Sequence, residues 1–169
     1  EETAGIGTGE PVYFTNQPLS VELAPGLIQG IFDGIQRPLN LIYNLSGDRI
    51  PLGIDVPKLD RDKLWNFVPN AKINDNVVSG DIIGIVDESS SVVHKIMVPP
   101  GVNGKITFIH KGDAKITDVI AKIEDGGKTV EVAMLQTWPV RRRRPYSQKL
   151  APIAPMVTGQ RVIDTLFPI

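Results

Sequence analysis

Residues 71–86, AKINDNVVSGDIIGIV, and residues 107–124, TFIHKGDAKITDVIAKIE, follow one pattern that decides the fold. Each contains a polar Gly-Asp or Asn-Asp turn, then β-branched residues, and then a strand that ends in aliphatic residues. Between them lies a Pro-Gly corner, VPPGVNGKI, at residues 98–106. An internal repeat of this kind predicts two similar β halves that pack face to face.

This order resembles the lipoyl/biotinyl-type barrel-sandwich hybrid. In that family a hairpin between the two halves presents the lysine that carries a swinging arm. The family's spacing, counted back from the corner proline Pro99, reaches Ser91 and not a lysine. Lys95 is nearby but falls on the returning strand. The sequence therefore favours the shared architecture without the modification, and a carrier domain is the alternative.

Short β-branched segments separated by Gly and Pro predict the individual strands. The candidates are residues 63–67, 82–86, 92–98, 105–110, 119–124 and 129–137, and the turn DGGK joins the last two. Residues 10–23 predict two further short strands around a turn at residues 15–18.

Residues 28–35 show a different periodicity, because their apolar side chains recur at i, i+3, i+4 and i+7. Pro25 suits a first helical turn, and Pro38 cannot continue a helix. The pattern predicts a short helix that ends near Arg37. A second brief helical or irregular segment is expected at residues 39–45.

The composition limits the possible functions. The chain has 18 Lys and Arg against 19 Asp and Glu, so no global field attracts nucleic acid or an anionic membrane. It has no Cys, which excludes disulfides, thiolate metal sites and thiol nucleophiles within these residues. No apolar run reaches the ~18 residues that span a bilayer, and a soluble, cytoplasmic protein is expected.

No catalytic constellation stands out. GIGTGE at residues 5–10 has a glycine spacing that only superficially resembles a dinucleotide-binding loop, and it is interpreted as a turn. His94 and His110 lack metal-ligand spacing and are expected to be structural or exposed. Asp87 and Glu88 are expected at a hairpin tip, where both carboxylates would be solvated.

The run RRRR at residues 141–144 is the most basic feature, and Trp138 and Tyr146 flank it. Such a run can contact phosphates, with the aromatic rings as stacking surfaces. Because the chain has no other basic cluster, the favoured interpretation is an exposed connection whose arginines pair with carboxylates of this or a neighbouring chain. A nucleic-acid-binding module is the alternative.

Four longer stretches occur in an order that points to one family. They are PLSVELAPGLIQGIFDGIQRPL at residues 18–39, VHKIMVPPG at 93–101, TWPVRRRRPY at 137–146 and VTGQRVIDTLFPI at 157–169. Together they resemble the catalytic alpha chains of the archaeal and vacuolar-type rotary ATPases. The most specific matches are DGIQRPL and TGQRVID followed by LFP.

The resemblance implies that the chain is a fragment with a mainly β fold in four parts. Residues 1–24 would be terminal strands of an N-terminal β-barrel, and residues 25–45 a connecting helix and elbow. Residues 46–138 would form a barrel-sandwich-like bulge domain, the family's non-homologous region. Residues 139–169 would be a Pro- and Arg-rich tail that leads to an absent nucleotide-binding domain.

The family's activity is ATP hydrolysis or synthesis coupled to proton or sodium transport. The resemblance implies that ATP or ADP and magnesium bind in the full-length alpha chain, beyond Ile169, so no catalytic, cofactor-binding or metal residue is expected here. The implied partners are the beta chain of the alternating hexamer and peripheral-stalk subunits, without nucleic acid. The implied location is a cytoplasmic complex that reaches the membrane only indirectly. An archaeal source is weakly favoured.

The family's motifs also imply three groups of site residues. The inter-domain elbow is expected at Pro25, Gly26, Asp33, Gly34, Gln36, Arg37 and Pro38. An ionic interface is expected at Arg141, Arg142, Arg143 and Arg144. The lead-in to the nucleotide domain is expected at Gly159, Arg161 and Asp164, which would order that approach without taking part in the chemistry.

Overall fold

The computed structural model describes residues 4–14, 16–28, 30–143, 151 and 153–167. These residues form ten strands and two short helices. The strands are β1 (Ser20–Leu23), β2 (Leu64–Pro69), β3 (Asn76–Val77), β4 (Ile82–Ser89), β5 (Val92–Met97), β6 (Gly104–Ile109), β7 (Gly112–Lys115), β8 (Val119–Asp125), β9 (Lys128–Ala133) and β10 (Gln136–Pro139). The helices are α1 (Leu39–Ser46) and α2 (Arg161–Leu166).

Strands β2 to β9 form two four-stranded antiparallel sheets that share one plan. The first sheet has the order β5-β4-β2-β7, and the second has the order β9-β8-β6-β3. Strands β2, β4 and β5 of the first half thus correspond to β6, β8 and β9 of the second, while β3 and β7 change places. This exchange confirms the two-half barrel-sandwich architecture that the internal repeat predicts.

The repeat extends to single hydrogen bonds. Asp81 lies directly before β4, and its carboxylate accepts the backbone N–H of Val78 at 2.8 Å. Asp118 lies directly before β8, and its carboxylate accepts the backbone N–H of Lys115 at 2.8 Å. Aspartate is common in such turns because its short side chain closes a local ring with the backbone. The turns before β4 and β8 are therefore built alike, although the sequence pattern singles out Gly112-Asp113 and not Thr117-Asp118 in the second half.

Strands β4 and β8 also begin alike. Each carries an irregularity in its ladder, at residues 82–84 in β4 and at residues 119–121 in β8. Each points a fully buried isoleucine inward at this place, Ile83 in the first half and Ile120 in the second. Equivalent backbone distortions place equivalent side chains in the core.

The inner faces of the two sheets enclose one hydrophobic core. In β2 exposed and buried residues alternate, as expected for a strand with one face on the core. The fully buried side chains with the largest volume are Phe67, Ile83, Ile96, Ile106, Ile116, Ile120, Ile123, Met134, Val86, Val98 and Val132 within this core, and Ile42 in α1. Ala24 is also part of the core, and Leu27 and Phe32 pack against it. Residues that follow β1 are thus built onto the sandwich.

Strands β1 and β10 pair with each other and form a two-stranded sheet, which we call the neck. Ser20 lies opposite Pro139, and Leu23 lies opposite Gln136. The Gln136 side chain donates from Nε2 to the carbonyl oxygen of Met97 at 2.6 Å, which attaches the neck to the end of β5. The chain therefore reaches and leaves the sandwich at one place.

Most predicted strands are confirmed, with two differences. The strand predicted at residues 129–137 divides into β9 and β10, because the chain bends at Met134 and the N–H of Leu135 donates to Ile116 instead of continuing the ladder. At residues 10–23 only β1 forms, and the described residues 10–14 lie outside any strand, so the second predicted strand is wrong. Strands β3 and β7 are too short for a sequence pattern to reveal.

The helix predicted from Pro25 to Arg37 is also wrong for the described residues. The i, i+3, i+4, i+7 pattern does not mark a buried stripe, because Ile31 is 73% exposed and Ile35 is 40% exposed. The segment is held by turns and by an isolated bridge between Phe32 and Pro38. The second predicted segment is confirmed as helix α1.

Candidate functional site

The predicted elbow residues DGIQR form a closed loop between Ile31 and Leu39. The N–H of Leu39 donates to the carbonyl of Ile31 at 2.9 Å, and the N–H of Asp33 donates to the carbonyl of Arg37 at 3.0 Å. These bonds give the loop the form of a small hairpin. Such a closure is incompatible with the i to i−4 bonds of a helix.

The Asp33 carboxylate organises this loop from within. It accepts the backbone N–H groups of Ile35 and Arg37 at 3.1 and 2.8 Å. It also receives the Arg37 Nε at 2.7 Å, and Arg37 Nη1 reaches the carbonyl of Ile54 at 3.2 Å. Partial burial raises the pKa of Asp33, but these hydrogen bonds and the guanidinium charge outweigh burial, so the pKa lies below its ordinary value.

Gln36 joins the elbow to the neck. Its backbone has φ of 68°, which is uncommon for a residue other than glycine, and its side chain is buried. Its Oε1 accepts the backbone N–H of Glu22 at 2.7 Å, and its Nε2 donates to the carbonyl of Glu22 at 2.5 Å. The amide therefore satisfies both backbone groups of a β1 residue, as a neighbouring strand would.

The side chain of Glu22 carries this connection further. Both of its carboxylate oxygens accept from Nη2 of Arg61, at 2.8 and 2.7 Å. Lys58 Nζ donates to the carbonyl of Ser20 at 3.1 Å. The neck is thus tied on one side to the elbow and on the other to the segment that precedes β2. Sequence patterns do not reveal the pairing of Glu22 with Arg61, because the two residues lie 39 positions apart in the chain.

The remaining elbow residues shape the backbone. Pro25 and Pro38 are buried at the two ends of the segment, while Gly34 is exposed at the tip of the loop. Gly26 has φ of 109°, and a Cβ atom there would lie 3.5 Å from the Trp65 ring. The structure therefore brings the seven predicted elbow residues into one region beside β1. Whether that region acts as an inter-domain elbow stays a prediction.

Glu88 lies in an environment opposite to the one that its sequence position predicts. The hairpin tip predicts a solvated carboxylate, yet the side chain is only 2% exposed. Its Oε1 accepts the backbone N–H groups of Gly26 and Ile28 at 2.7 and 2.9 Å. Its Oε2 lies 3.3 Å from Nδ1 of His94, within ion-pair distance when the imidazole is protonated. The prediction is wrong because a second segment, distant in sequence, covers the tip.

An open cleft of about 430 Å³ lies between the elbow and residues 57–62. Its charged side chains all have partners within the chain: Arg61 bonds to Glu22, Lys58 to Ser20, Asp60 to the N–H groups of Asp62 and Lys63, and Asp62 to Lys115. The charge of Arg61 in the cleft is thus balanced by Glu22. The expectation that these residues hold no nucleotide site stays a prediction.

The predicted ionic interface begins directly after β10. Arg141, Arg142 and Arg143 are exposed, and the N–H of Arg142 donates to the carbonyl of Pro139 at 3.1 Å. Arg144 and Tyr146 lie outside the described residues. Trp138 is 4% exposed and belongs to the neck, so its ring is not a free stacking surface beside the arginines.

The predicted lead-in residues lie at helix α2, with Gly159 in the turn before it and Arg161 and Asp164 within it. The carboxylate of Asp164 accepts the N–H groups of Thr158 and Gly159 at 2.9 and 3.0 Å and the Thr158 hydroxyl at 2.7 Å. The Thr158 side-chain bond, helped by the backbone bonds, holds the pKa of Asp164 below its ordinary value. Arg161 is exposed at the start of α2.

Other candidate chemistry finds little support. His110 Nε2 lies 3.2 Å from the carbonyl oxygen of Asp113, and Lys95 lies within β5 instead of at the hairpin turn of Ser90 and Ser91. Among the described residues, no group of His, Asp and Glu side chains has the geometry of a metal site. Within the same residues no helix is long and apolar enough to cross a membrane.

Comparison with known proteins gives a consistent result. Residues 56–141 match the family described as ATPsynthase alpha/beta subunit barrel-sandwich domain. Over its whole length the chain is 56% identical to the V-type ATP synthase alpha chain of Clostridium botulinum (strain Langeland / NCTC 10281 / Type F), of which it covers 29%. It is 55% identical over 170 residues to that of Thermoanaerobacter sp. (strain X514), again covering 29%.

A third relative, the V-type ATP synthase alpha chain 1 of Clostridium tetani (strain Massachusetts / E88), is 54% identical over 169 residues, and the chain covers 28% of it. The chain thus spans less than a third of the length of these relatives. All three relatives are bacterial and give no support to the archaeal source that the sequence weakly favours. The matched sandwich and the identity over all 169 residues lead to one conclusion: the chain belongs to the ATP synthase alpha/beta family, with the alpha chains of V-type ATP synthases.

Proposed function

We propose that the chain is a non-catalytic part of the alpha chain of a V-type ATP synthase, whose whole complex couples ATP synthesis or hydrolysis to proton or sodium transport. The observation that carries this proposal is the identity of 56% over the full 169 residues to a V-type ATP synthase alpha chain. ATP or ADP and magnesium would bind to parts of that alpha chain outside these residues. The complex would be cytoplasmic and attached peripherally to a membrane.

Direct titration tests the absence of a nucleotide site in these residues. Calorimetric titration of the 169-residue chain with ATP plus magnesium, and separately with ADP, should give no saturable heat. The ion pair between Arg61 and Glu22 supports this expectation, since the carboxylate already balances that guanidinium charge. Saturable binding in the micromolar range would mean that a nucleotide site lies within the chain and would contradict a non-catalytic role.

We further propose that the sandwich serves as a contact surface for other subunits, with the beta chain and the peripheral stalk as its partners. The paired strands of the neck support this proposal, because they fasten the sandwich at one end and leave the exposed β8–β9 hairpin available. Immobilised chain should retain purified peripheral-stalk subunits in a biosensor assay. If neither the stalk subunits nor the beta chain are retained at high micromolar concentration, the proposal is wrong.

The three exposed arginines after β10 are proposed as the ionic part of this interface, with carboxylates of the beta chain opposite. Reversal of their charges in R141E/R142E/R143E should weaken the binding of the beta chain, and the loss should shrink as salt rises. The matched control is K72E/K105E/K128E, which reverses three exposed lysines elsewhere. Equal effects of the two triple variants would show that only total charge matters.

A further inference from the structure

We propose that Glu88 is a clasp that holds the tip of the β4–β5 hairpin against the turn at residues 25–28 and thereby fixes the position of this hairpin relative to the elbow. The clasp involves described residues alone and does not depend on the proposed function. Two observations support it: the place of Glu88 in the hairpin and the groups that its carboxylate binds.

Glu88 is an extra residue near the tip of the β4–β5 hairpin. Asp87 pairs with Val93, and Ser89 pairs with Val92, so Glu88 has no partner across the ladder. A bulge of this kind turns the side chain of the extra residue away from the regular alternation. Here the bulge turns a carboxylate under a neighbouring segment, where its side chain is 2% exposed.

The carboxylate binds two backbone donors in that segment. One oxygen, Oε1, accepts both the N–H of Gly26 and the N–H of Ile28. The φ of 109° at Gly26 belongs to the left-handed region, which glycine adopts without strain. Hydrogen bonds to a charged acceptor are roughly twice as strong as neutral ones. His94 stands on the other side, next to Oε2.

This contact attaches the elbow segment to the sandwich far from the neck. In the neck, Gln136 links β10 to Met97 at the far end of β5. The clasp joins residues 62 and 60 positions apart in the chain, at the opposite end of the same hairpin. The packing of Leu27 and Phe32 on the core and the Glu22–Arg61 pair do not depend on Glu88. Loss of Glu88 should therefore loosen the hairpin tip from the turn at residues 25–28 and leave those contacts intact.

Amide hydrogen exchange followed by NMR tests the clasp at its own donors. In E88A the amides of Gly26 and Ile28 should exchange roughly ten- to hundredfold faster than in the wild type, in line with the loss of two charge-assisted bonds. E88Q, which keeps the shape and loses the charge, should give a smaller increase. Amides of β8 and β9 should keep their rates, and D87N is the matched control with an exposed neighbouring carboxylate.

Distances between two spin labels test the position of the β4–β5 hairpin relative to the elbow. The chain has no cysteine, so S90C and I31C provide two unique labelling sites, one on the hairpin turn and one on the elbow. The distance distribution should broaden in E88Q and stay narrow in D87N. Unchanged exchange at Gly26 and Ile28 in E88A, or equal acceleration at β8 and β9, would overturn the proposal. A distribution that stays narrow in E88Q would overturn it as well.

Discussion

The two halves of the sandwich differ at their hairpins, although they agree almost everywhere else. In the first hairpin the pairs Asp87–Val93 and Ser89–Val92 enclose the extra residue Glu88. In the second, the pairs Glu124–Thr129 and Asp125–Lys128 follow each other directly. The second hairpin shows that the fold closes without the extra residue. The insertion in the first hairpin therefore serves a contact outside the sandwich and is not needed by the sandwich itself.

The largest expected effect tests whether the halves are equivalent in the core. Ile83→Ala and Ile120→Ala should each lower the free energy of unfolding by about 2–5 kcal/mol, because each removes a fully buried side chain at the same place in the repeat. Urea unfolding of the two variants measures both values. A difference of more than about 2 kcal/mol between them would break the equivalence that the sheet orders indicate.

A smaller and asymmetric effect is expected one residue further along. A Cβ atom on Gly84 would lie 2.3 Å from Cζ of Phe67 and 2.9 Å from the carbonyl oxygen of Val68. Gly84→Ala should therefore destabilise by about 1–3 kcal/mol through overpacking. The corresponding position in the second half already holds alanine, and Ala121→Gly should lose about 1 kcal/mol. Thermal unfolding measures the stability of both variants. A Gly84→Ala variant more stable than the wild type would contradict the close approach of Gly84 to the Phe67 ring.

The turns before β4 and β8 should give equal, smaller effects. Asp81→Ala and Asp118→Ala each remove a 2.8 Å bond from a turn carboxylate to a backbone N–H. We expect a loss of about 1 kcal/mol or less for each, since both turns are exposed. Urea midpoints measure this, with Asp87→Asn as the neutral control. If only one of the two variants is destabilised, the turns share their geometry but not their contribution to stability.

The smallest effect concerns the elbow, which has no counterpart in the second half. The folded pKa of Asp33 lies below its ordinary value of 3.8, so the carboxylate stabilises the fold above that pH, and this stabilisation is lost as the pH falls through the folded pKa. Asp33→Asn should be less stable than the wild type at neutral pH, and the two should converge below pH 3.8. Urea unfolding across this range measures it. If the difference in stability between the wild type and Asp33→Asn is the same at all pH values, the charge of Asp33 does not contribute.

The parts of the fold that the sequence reveals are those that depend on local repetition. Residues 71–86 and 107–124 predict two similar halves because each has a Gly-Asp or Asn-Asp turn, then β-branched residues and a strand with an aliphatic end. The matching turn at Asp118 is not part of that pattern. The predicted turn DGGK is also confirmed. Its two glycines have positive φ, which suits a tight hairpin. Long-range pairing is different, because no local pattern shows that β10 leaves β9 for β1.

The elbow and Glu88 show the same contrast between local patterns and long-range contacts. The elbow residues can be located from the family's motif, but the helix predicted through them fails because the Asp33 carboxylate binds the N–H groups of Ile35 and Arg37 that a helix would require. The prediction of a solvated Glu88 fails for a related reason, since a carboxylate beside a serine-rich turn gives no hint of a covering segment. The partners of buried polar groups lie far away in sequence, and only the fold brings them together.

The pairing of β1 with β10 has an evolutionary consequence. Leu23 and Gln136 face each other in the neck, so everything between them begins and ends within one strand spacing, about 5 Å. A segment whose two ends already touch can be gained by, or removed from, a gene without stretching the surrounding protein. The geometry of the neck therefore allows residues 24–135 to be inserted or removed as one unit, because a short turn could join Leu23 to Gln136.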